Sequence, residues 1–440
     1  MTNPCRRRVT FRLVFEALLA LLVSPGAWGQ ELPVAKPEAV GLSPEKLALI
    51  SPAVQALVTN QQIAGAVTII ARQGQLIYWE AVGQRDLASG LPMERDTIMR
   101  IHSMTKPITS VAILMLMEDG QLGLDDPVGK FLPEMKGLKV FVRASGTNLI
   151  TEPARREPTV RDLLRHTAGL TYGFFSDTPV DQAYRRANLL APGDTLTDLT
   201  RKLGGLPLQY QPGTVWNYSF ATDVLGRLVE VVSGKSLDVF LAERILQPLD
   251  MRDTGFSVPP EKLARFAATH GVAAGKLCVS DAPGTSPYRA HPSLLSGGGG
   301  LVSTARDYLR FCQMLAAGGE LGGRRLLRRE TVQSMTANQL PASAMPIAIG
   351  SNPRPGVGFG YGFSVQVQRD PRSVAPIGEY GWGGAASTHV WISPKDELIV
   401  IALQQFEPYT AVLEQTLKPL VYDAIRDPLP ASKSNPNPIR

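Results

Sequence analysis

Ser103 and Lys106 stand three residues apart in the stretch Arg100-Ile101-His102-Ser103-Met104-Thr105-Lys106-Pro107. A hydroxyl and an amine at that spacing share one helical face, so the amine can reach the hydroxyl. The chemistry this permits is attack of the serine on a carbonyl, with a covalent intermediate. Tyr218, in Trp216-Asn217-Tyr218-Ser219-Phe220, is a second candidate: a phenol on a loop before a helix can point into a cleft. Taken alone, a packing role for that tyrosine is the commoner outcome. The third candidate is Gly381-Trp382-Gly383-Gly384-Ala385-Ala386-Ser387. Three glycines within four residues mark a strand that something approaches closely, or a β-bulge.

These residues need elements to hold them. The apolar run Ile108 to Met117 predicts a buried helix with Ser103 at its start and a stop at Asp119-Gly120. Pro107 fits there, because first-turn amides have no partner to lose. The helix N-terminus adds a partial positive charge and free N–H groups beside the hydroxyl. A second Ser-x-x-Lys, Ser43-Pro44-Glu45-Lys46, reads only as the N-cap of an amphipathic helix over 43–60. Ala64 to Arg72 and Gln75 to Val82 predict a β-hairpin turning at Gln73-Gly74, followed by turn residues at 85–94.

Residues 137–158 read as a charged loop with a short strand at 138–143, and Thr159-Val160-Arg161-Asp162 as a capping box. The stretch 171–275 reads as mostly helical, clearest at 220–233 and 237–246. The run Ser296-Gly297-Gly298-Gly299-Gly300 lacks the Lys-Ser or Lys-Thr of a phosphate loop and reads as a close-packed turn. Thr304 caps a helix to Leu315. A Pro/Gly-rich loop at 340–360 precedes strands at 362–368, 390–392 and 398–404 and a final helix at 410–426. The order predicts an α+β fold: an antiparallel sheet built from both chain ends, flanked by helices, with a mostly helical insertion. Residues 30–120 and 290–426 would form an α/β sandwich domain and 121–289 a mostly helical one. Residues 427–440 read as a disordered tail.

The chain has 440 residues, 44% hydrophobic and 19% charged, which is enough for a sizeable core. Residues 1–29 read as a bacterial signal peptide: Arg6, Arg7, Arg8 and Arg12, then the apolar stretch Leu13 to Val23, then Ala27-Trp28-Gly29. The apolar run is short for a membrane span, so cleavage is expected, with a periplasmic or secreted product and no span retained. Losing four arginines and one glutamate takes the formal charge from +6 to +3. No basic stripe with interleaved aromatics is present, which argues against nucleic acid. Cys278 and Cys312 allow at most one disulfide, and neither they nor the five scattered histidines have metal-ligand spacing. No cofactor motif is evident.

Together the three motifs resemble the serine β-lactamase and penicillin-binding-protein superfamily over roughly residues 35–425. The likeness is strongest to class C β-lactamase-like proteins and the family VIII carboxylesterases. Ser103-Met104-Thr105-Lys106 matches the first motif. Tyr218-Ser219-Phe220 stands at the Tyr-x-Asn position, and Trp382-Gly383-Gly384 where Lys-Thr-Gly is found. Supporting stretches lie at 163–170, 299–304 and 391–394. The resemblance implies Ser103 as nucleophile, Lys106 and Tyr218 sharing its proton, and the backbone N–H groups of Ser103 and Ala385 as oxyanion hole. A free lysine, with a pKa of about 10.4, is a poor base near neutrality. Either its surroundings lower that value or Tyr218 acts as phenolate, and the family's own acylation base is debated. Phe220 in place of asparagine and Trp382 in place of lysine make the cleft apolar. They point to a short-chain carboxylic ester as substrate. A class C-like β-lactamase or D-amino-acid-specific peptidase is the alternative, and a catalytically silent envelope protein the third reading. His102 and His166 read as structural residues and His389 as a surface one.

Overall fold

The structure, a computed structural model, describes residues 33–146 and 148–426. The expected leader at 1–29 and the tail at 427–440 lie outside the described residues. One antiparallel sheet organises the rest. Its strands are β1 (Gly65–Arg72), β2 (Gln75–Asp86), β3 (Leu91–Pro92), β4 (Val357–Phe359), β5 (Ser364–Gln366), β6 (Tyr380–Gly384), β7 (Thr388–Ser393) and β8 (Leu398–Gln404). Their spatial order is β4-β5-β6-β7-β8-β1-β2-β3, so β8 from the chain's end pairs with β1 from its beginning. The sheet thus draws on both chain ends, as the sequence predicts. The β1–β2 hairpin turns at Gln73 and Gly74, both with positive φ (53° and 73°), as a tight two-residue turn requires.

Alternation along these strands makes two cores. On β1, Val67, Ile69 and Ala71 face one side, and Ala66 and Ile70 the other; on β8, Ile399, Ile401 and Leu403 oppose Leu398, Val400 and Ala402. The second face is covered by α1 (Pro44–Leu47), α2 (Ile50–Thr59) and a late helix described below. Ser43 caps α1 as expected, but the chain breaks at Ala48-Leu49, so 43–60 is two helices rather than one. The first face meets α3 (Thr105–Glu118), which is buried nearly all round. A helix apolar on every side belongs in an interior. It stops where the sequence predicts, with Gly120 at φ 72°.

Beyond α3 come α4 (Val160–Leu164), α5 (Pro179–Arg186), α6 (Leu196–Gly204), α7 (Ala221–Ser233) and α8 (Leu237–Leu241), the last continued by a wider π turn to Leu246. Threonines cap the first three through reciprocal bonds with Asp162, Asp181 and Asp198. Then follow α9 (Ala305–Ala316), α10 (Arg329–Thr336) and α11 (Val412–Asp423), which completes the cover of the second face.

Four local expectations are corrected. Residues 85–94 are not simply turn, because β2 runs on to Asp86 and pairs with β3. The stretch read as loop at 137–158 holds a full hairpin, Lys139–Ser145 with Asn148–Pro153. The helical reading of 171–275 ends early, at a hairpin of Thr269–Ala273 with Lys276–Asp281. The loop at 340–360 contains a short hairpin, Ala348–Ile349 with Asn352–Pro353. All four are short or polar strands whose partners, not their composition, make them strands. Cys278 and Cys312 are not bonded to each other: one lies on the late hairpin, the other is buried in α9.

Asp307, in the first turn of α9, gives the fold a pH dependence. Its carboxylate accepts from the Asp253 N–H (2.7 Å) and Thr254 Oγ1 (3.0 Å). Burial outweighs these bonds and raises its pKa from 3.8 to about 6. The folded protein therefore binds this proton more tightly than the unfolded chain does. The stability it contributes is present at low pH and is lost as pH rises through about 6. Urea unfolding between about pH 5 and pH 7 is expected to show that loss in the wild type and a flatter profile in Asp307→Asn.

Candidate active site

A short 3-10 turn, His102–Met104, feeds directly into α3, so Ser103 sits immediately before the helix and Lys106 in its first turn. The Lys106 side chain is wholly buried. Its Nζ donates to Ser103 Oγ at 3.1 Å and to the Gly298 carbonyl at 2.6 Å. The pairing expected from the three-residue spacing is therefore formed. Tyr308 Oη donates to the Met104 carbonyl, and Thr105 Oγ1 accepts from the Leu301 N–H, which pins the turn from outside α3.

Tyr218 lies on the extended stretch before α7. That stretch is fixed by the Asn217 N–H bond to the His166 carbonyl (2.9 Å) and by Asn217 Nδ2 to the Leu170 carbonyl (2.8 Å). The Tyr218 ring centroid is 4.6 Å from Lys106 Nζ, so the amine sits over the ring face. The phenol oxygen instead accepts from Trp382 Nε1 at 3.2 Å. Ser103, Lys106, Tyr218 and Trp382 thus form one continuous run of contacts, with the phenol held towards the β6 wall.

That wall abuts the serine turn. A Cβ on Gly384 would lie 2.3 Å from the Ile101 carbonyl oxygen and 2.4 Å from Thr388 Oγ1, so only glycine lets β6 come this near. Gly383 is opposite His389 across the β6–β7 pair. Ala385 follows at the exposed turn after β6, beside this contact. Of the two readings open in the sequence, close approach or a β-bulge, the glycines of the motif serve close approach, since the β6–β7 register is unbroken.

Three groups not singled out by spacing complete the site. Asp223, in the first turn of α7, is buried; its Oδ1 accepts from Ser296 Oγ (2.5 Å) and from the Gly298 N–H (3.1 Å). Burial raises its pKa, against the opposing effects of Ser296, Lys106 and Gly298. Tyr172 places its ring 5.4 Å from Lys106 Nζ and edge-on to Tyr218 and Phe220. Burial, then Tyr218 and Asp223, push its phenol well above the usual tyrosine range. Phe174 stacks on Tyr172 and stays 59% exposed, so the aromatic wall runs from the amine to solvent. In sequence, Asp223 looks like any acid in a first helical turn, and Tyr172 like any aromatic after a Gly-Leu-Thr turn.

The histidines divide differently from expectation. His166 is structural as predicted: it is buried, with Nδ1 3.2 Å from Ser219 Oγ, and burial and the Lys106 charge hold it well below its usual pKa. His102 places its Nε2 3.2 Å from Glu407 Oε1. His389 is not on the surface. It is buried, 3.2 Å from Glu414, in a network where Lys418 also pairs with Glu414 (2.9 Å) and Glu379 (2.8 Å). Alternation along β7 places His389 against α11 rather than water. Among the described residues no cluster of His, Cys, Asp and Glu is arranged to hold a metal, and no helix is long and apolar enough to cross a membrane.

The family model described as Beta-lactamase matches residues 50–417. Protein Rv1367c of Mycobacterium tuberculosis is 37% identical over 363 residues, covering 80% of this chain and 88% of that protein. Esterase EstB of Burkholderia gladioli is 37% identical over 211 residues, 47% of this chain and 50% of EstB. Among solved structures, EstCE1, a hydrolase with promiscuous acyltransferase activity, superposes with a TM-score of 0.72 at 27% identity, covering 86% of this chain and 99% of that one.

The β6 contact is testable without a substrate. Gly384→Ala is expected to fold, with an unchanged far-UV circular dichroism spectrum. Its backbone displacement should slow fluorophosphonate labelling of Ser103 by about a hundredfold, the penalty typical of a displacement near 1 Å.

Proposed function

The chain belongs to the beta-lactamase family and is a serine hydrolase, and from that membership we propose that it cleaves short-chain carboxylic esters through an acyl-enzyme on Ser103. One observation carries the ester reading. The Trp382 indole, hydrogen-bonded to the Tyr218 phenol, stands on β6 where the resembled motif Lys-Thr-Gly carries its lysine. An indole N–H carries no charge, and Phe220 and Tyr172 extend the apolar surface. A neutral ester loses little on entering such a cleft, whereas a carboxylate would be desolvated without a partner.

The contacts of Lys106 support the following steps. Ser103 Oγ attacks the ester carbonyl carbon while its proton passes to Lys106 Nζ, the group in hydrogen-bond contact with it. Once deprotonated, Lys106 keeps one N–H on the Gly298 carbonyl and turns its lone pair to Ser103 Oγ. The oxyanion is bound by the backbone N–H groups of Ser103 and Ala385, each such donor being worth about a hundred- to a thousandfold in rate. Collapse expels the alcohol, which takes the proton. Water then attacks the acyl-serine by the reverse route.

A second reading, acyl transfer to an alcohol, is favoured by the exposed rim of Phe174 and Phe175 beside Tyr172. An apolar alcohol resting there would compete with water for the acyl group. EstCE1, similar over most of this chain, is described as having such activity.

Turnover of p-nitrophenyl butyrate is the deciding assay. Wild-type protein should hydrolyse it far more efficiently than nitrocefin. Ser103→Ala should abolish turnover, and Lys106→Ala should abolish acylation while the fold persists. A nitrocefin preference would transfer the assignment to β-lactam hydrolysis. Export is proposed from the Arg6–Arg12 and Leu13–Val23 segments. Amino-terminal sequencing of protein expressed with its leader should then begin near Gln30; an intact Met1 in the cytoplasm overturns it.

A further inference from the structure

The amine of Lys106 is gripped by a glycine that is itself gripped from behind. Gly298 offers its carbonyl to Lys106 Nζ at 2.6 Å and its N–H to Asp223 Oδ1 at 3.1 Å. The same Oδ1 accepts from Ser296 Oγ at 2.5 Å, so the carboxylate closes the start of the glycine turn. Thr109 Oγ1 holds the neighbouring Gly297 carbonyl at 2.8 Å from the α3 side. There is no slack in this clamp. A Cβ on Gly297 would lie 2.6 Å from the Thr222 carbonyl oxygen, and one on Gly298 would lie 2.5 Å from Asp223 Oδ2. Helix α7 therefore presents a buried carboxylate to the peptide that orients the amine of α3.

We propose that Asp223 is a positioning residue for Lys106: through Gly298 its carboxylate holds the amine on Ser103 and supplies the negative charge that balances the ammonium. This rests on the assignment of Lys106 as proton acceptor. The titratable groups facing Lys106 are Asp223 from α7, Tyr218 from the stretch before it, Tyr172 from the loop before α5, and His166. His166 is held neutral by burial, and both tyrosines contribute ring faces, so Asp223 is the carboxylic acid of the set. A buried carboxylate favours the charged lysine, so removing its charge must ease deprotonation. Burial works against the carboxylate, and the Lys106 charge and the bonds from Ser296 and Gly298 work for it, which is the mutual dependence expected of such a pair.

Asp223→Asn keeps an oxygen acceptor for Ser296 and Gly298 and deletes the charge. The readout is the pH dependence of fluorophosphonate labelling of Ser103, measured beside p-nitrophenyl butyrate hydrolysis. The acidic limb of the labelling profile should move down by about one pH unit or more. Asp223→Ala, which also frees the Gly298 N–H, should lose about a hundredfold in labelling rate. Ser296→Ala, which weakens the carboxylate's hold on its charge, should move the limb in the same direction by less, and serves if Asp223→Asn does not fold. An unmoved limb in Asp223→Asn, or in Ser296→Ala when that variant stands in, overturns the proposal, whether or not activity falls. Failure of the ester assay alone, with labelling intact, speaks against the substrate assignment and not against Asp223.

Discussion

The molecule depends on keeping one amine dry and oriented. Lys106 has no exposed surface, and a buried ammonium is tolerated only with partners. It has the Gly298 carbonyl, the Ser103 hydroxyl, and the faces of Tyr172 and Tyr218. Each partner comes from a different part of the chain. The helix that carries the amine is buried all round, the glycine turn arrives from residues 296–300, and the phenols arrive from loops tied to His166 and Leu170. Assembling these around one nitrogen requires the whole helical layer to be in place.

The sheet answers the complementary need, a rigid wall on the other side of the serine. Strand β6 is held by β5 and β7 and backed, across His389, by the Glu414–Lys418–Glu379 network under α11. Burial raises the cost of the Glu414 charge, yet Lys418 and His389 overcome it and hold that carboxylate well below its usual range. A paired interior charge network of this kind adds little net stability, but loss of one partner is expensive. Such a network fixes a strand in one place. Here it ties β7, through His389, and the residue before β6, Glu379, to α11; β6 is the strand whose Gly384 lies against the Ile101 carbonyl.

Much of this was legible in the chain. The Ser103–Lys106 pair, the buried helix behind it, the two-ended sheet and the three glycines all follow from spacing and periodicity, because those signals depend on near neighbours. What escaped was set by distant partners. Asp223 meets Ser296 only after α7 and the glycine turn are packed together. His389 is buried because α11 returns to cover β7, which nothing around position 389 announces. The hairpins at 139–153 and 269–281 have polar, half-exposed strands, and their pairing is decided by register rather than by hydrophobic pattern.

Strand β6 separates two tasks within five residues. Gly381, Gly383 and Gly384 have no side chains to lose and almost no room to gain one, so the path of the backbone is settled. Between them Trp382 alone projects towards the phenol. The arrangement resembles a fixed rail with a single exchangeable fitting. A change at position 382 would therefore alter the surface that faces Tyr218 and Phe359, while the course of the strand stayed set by its glycines.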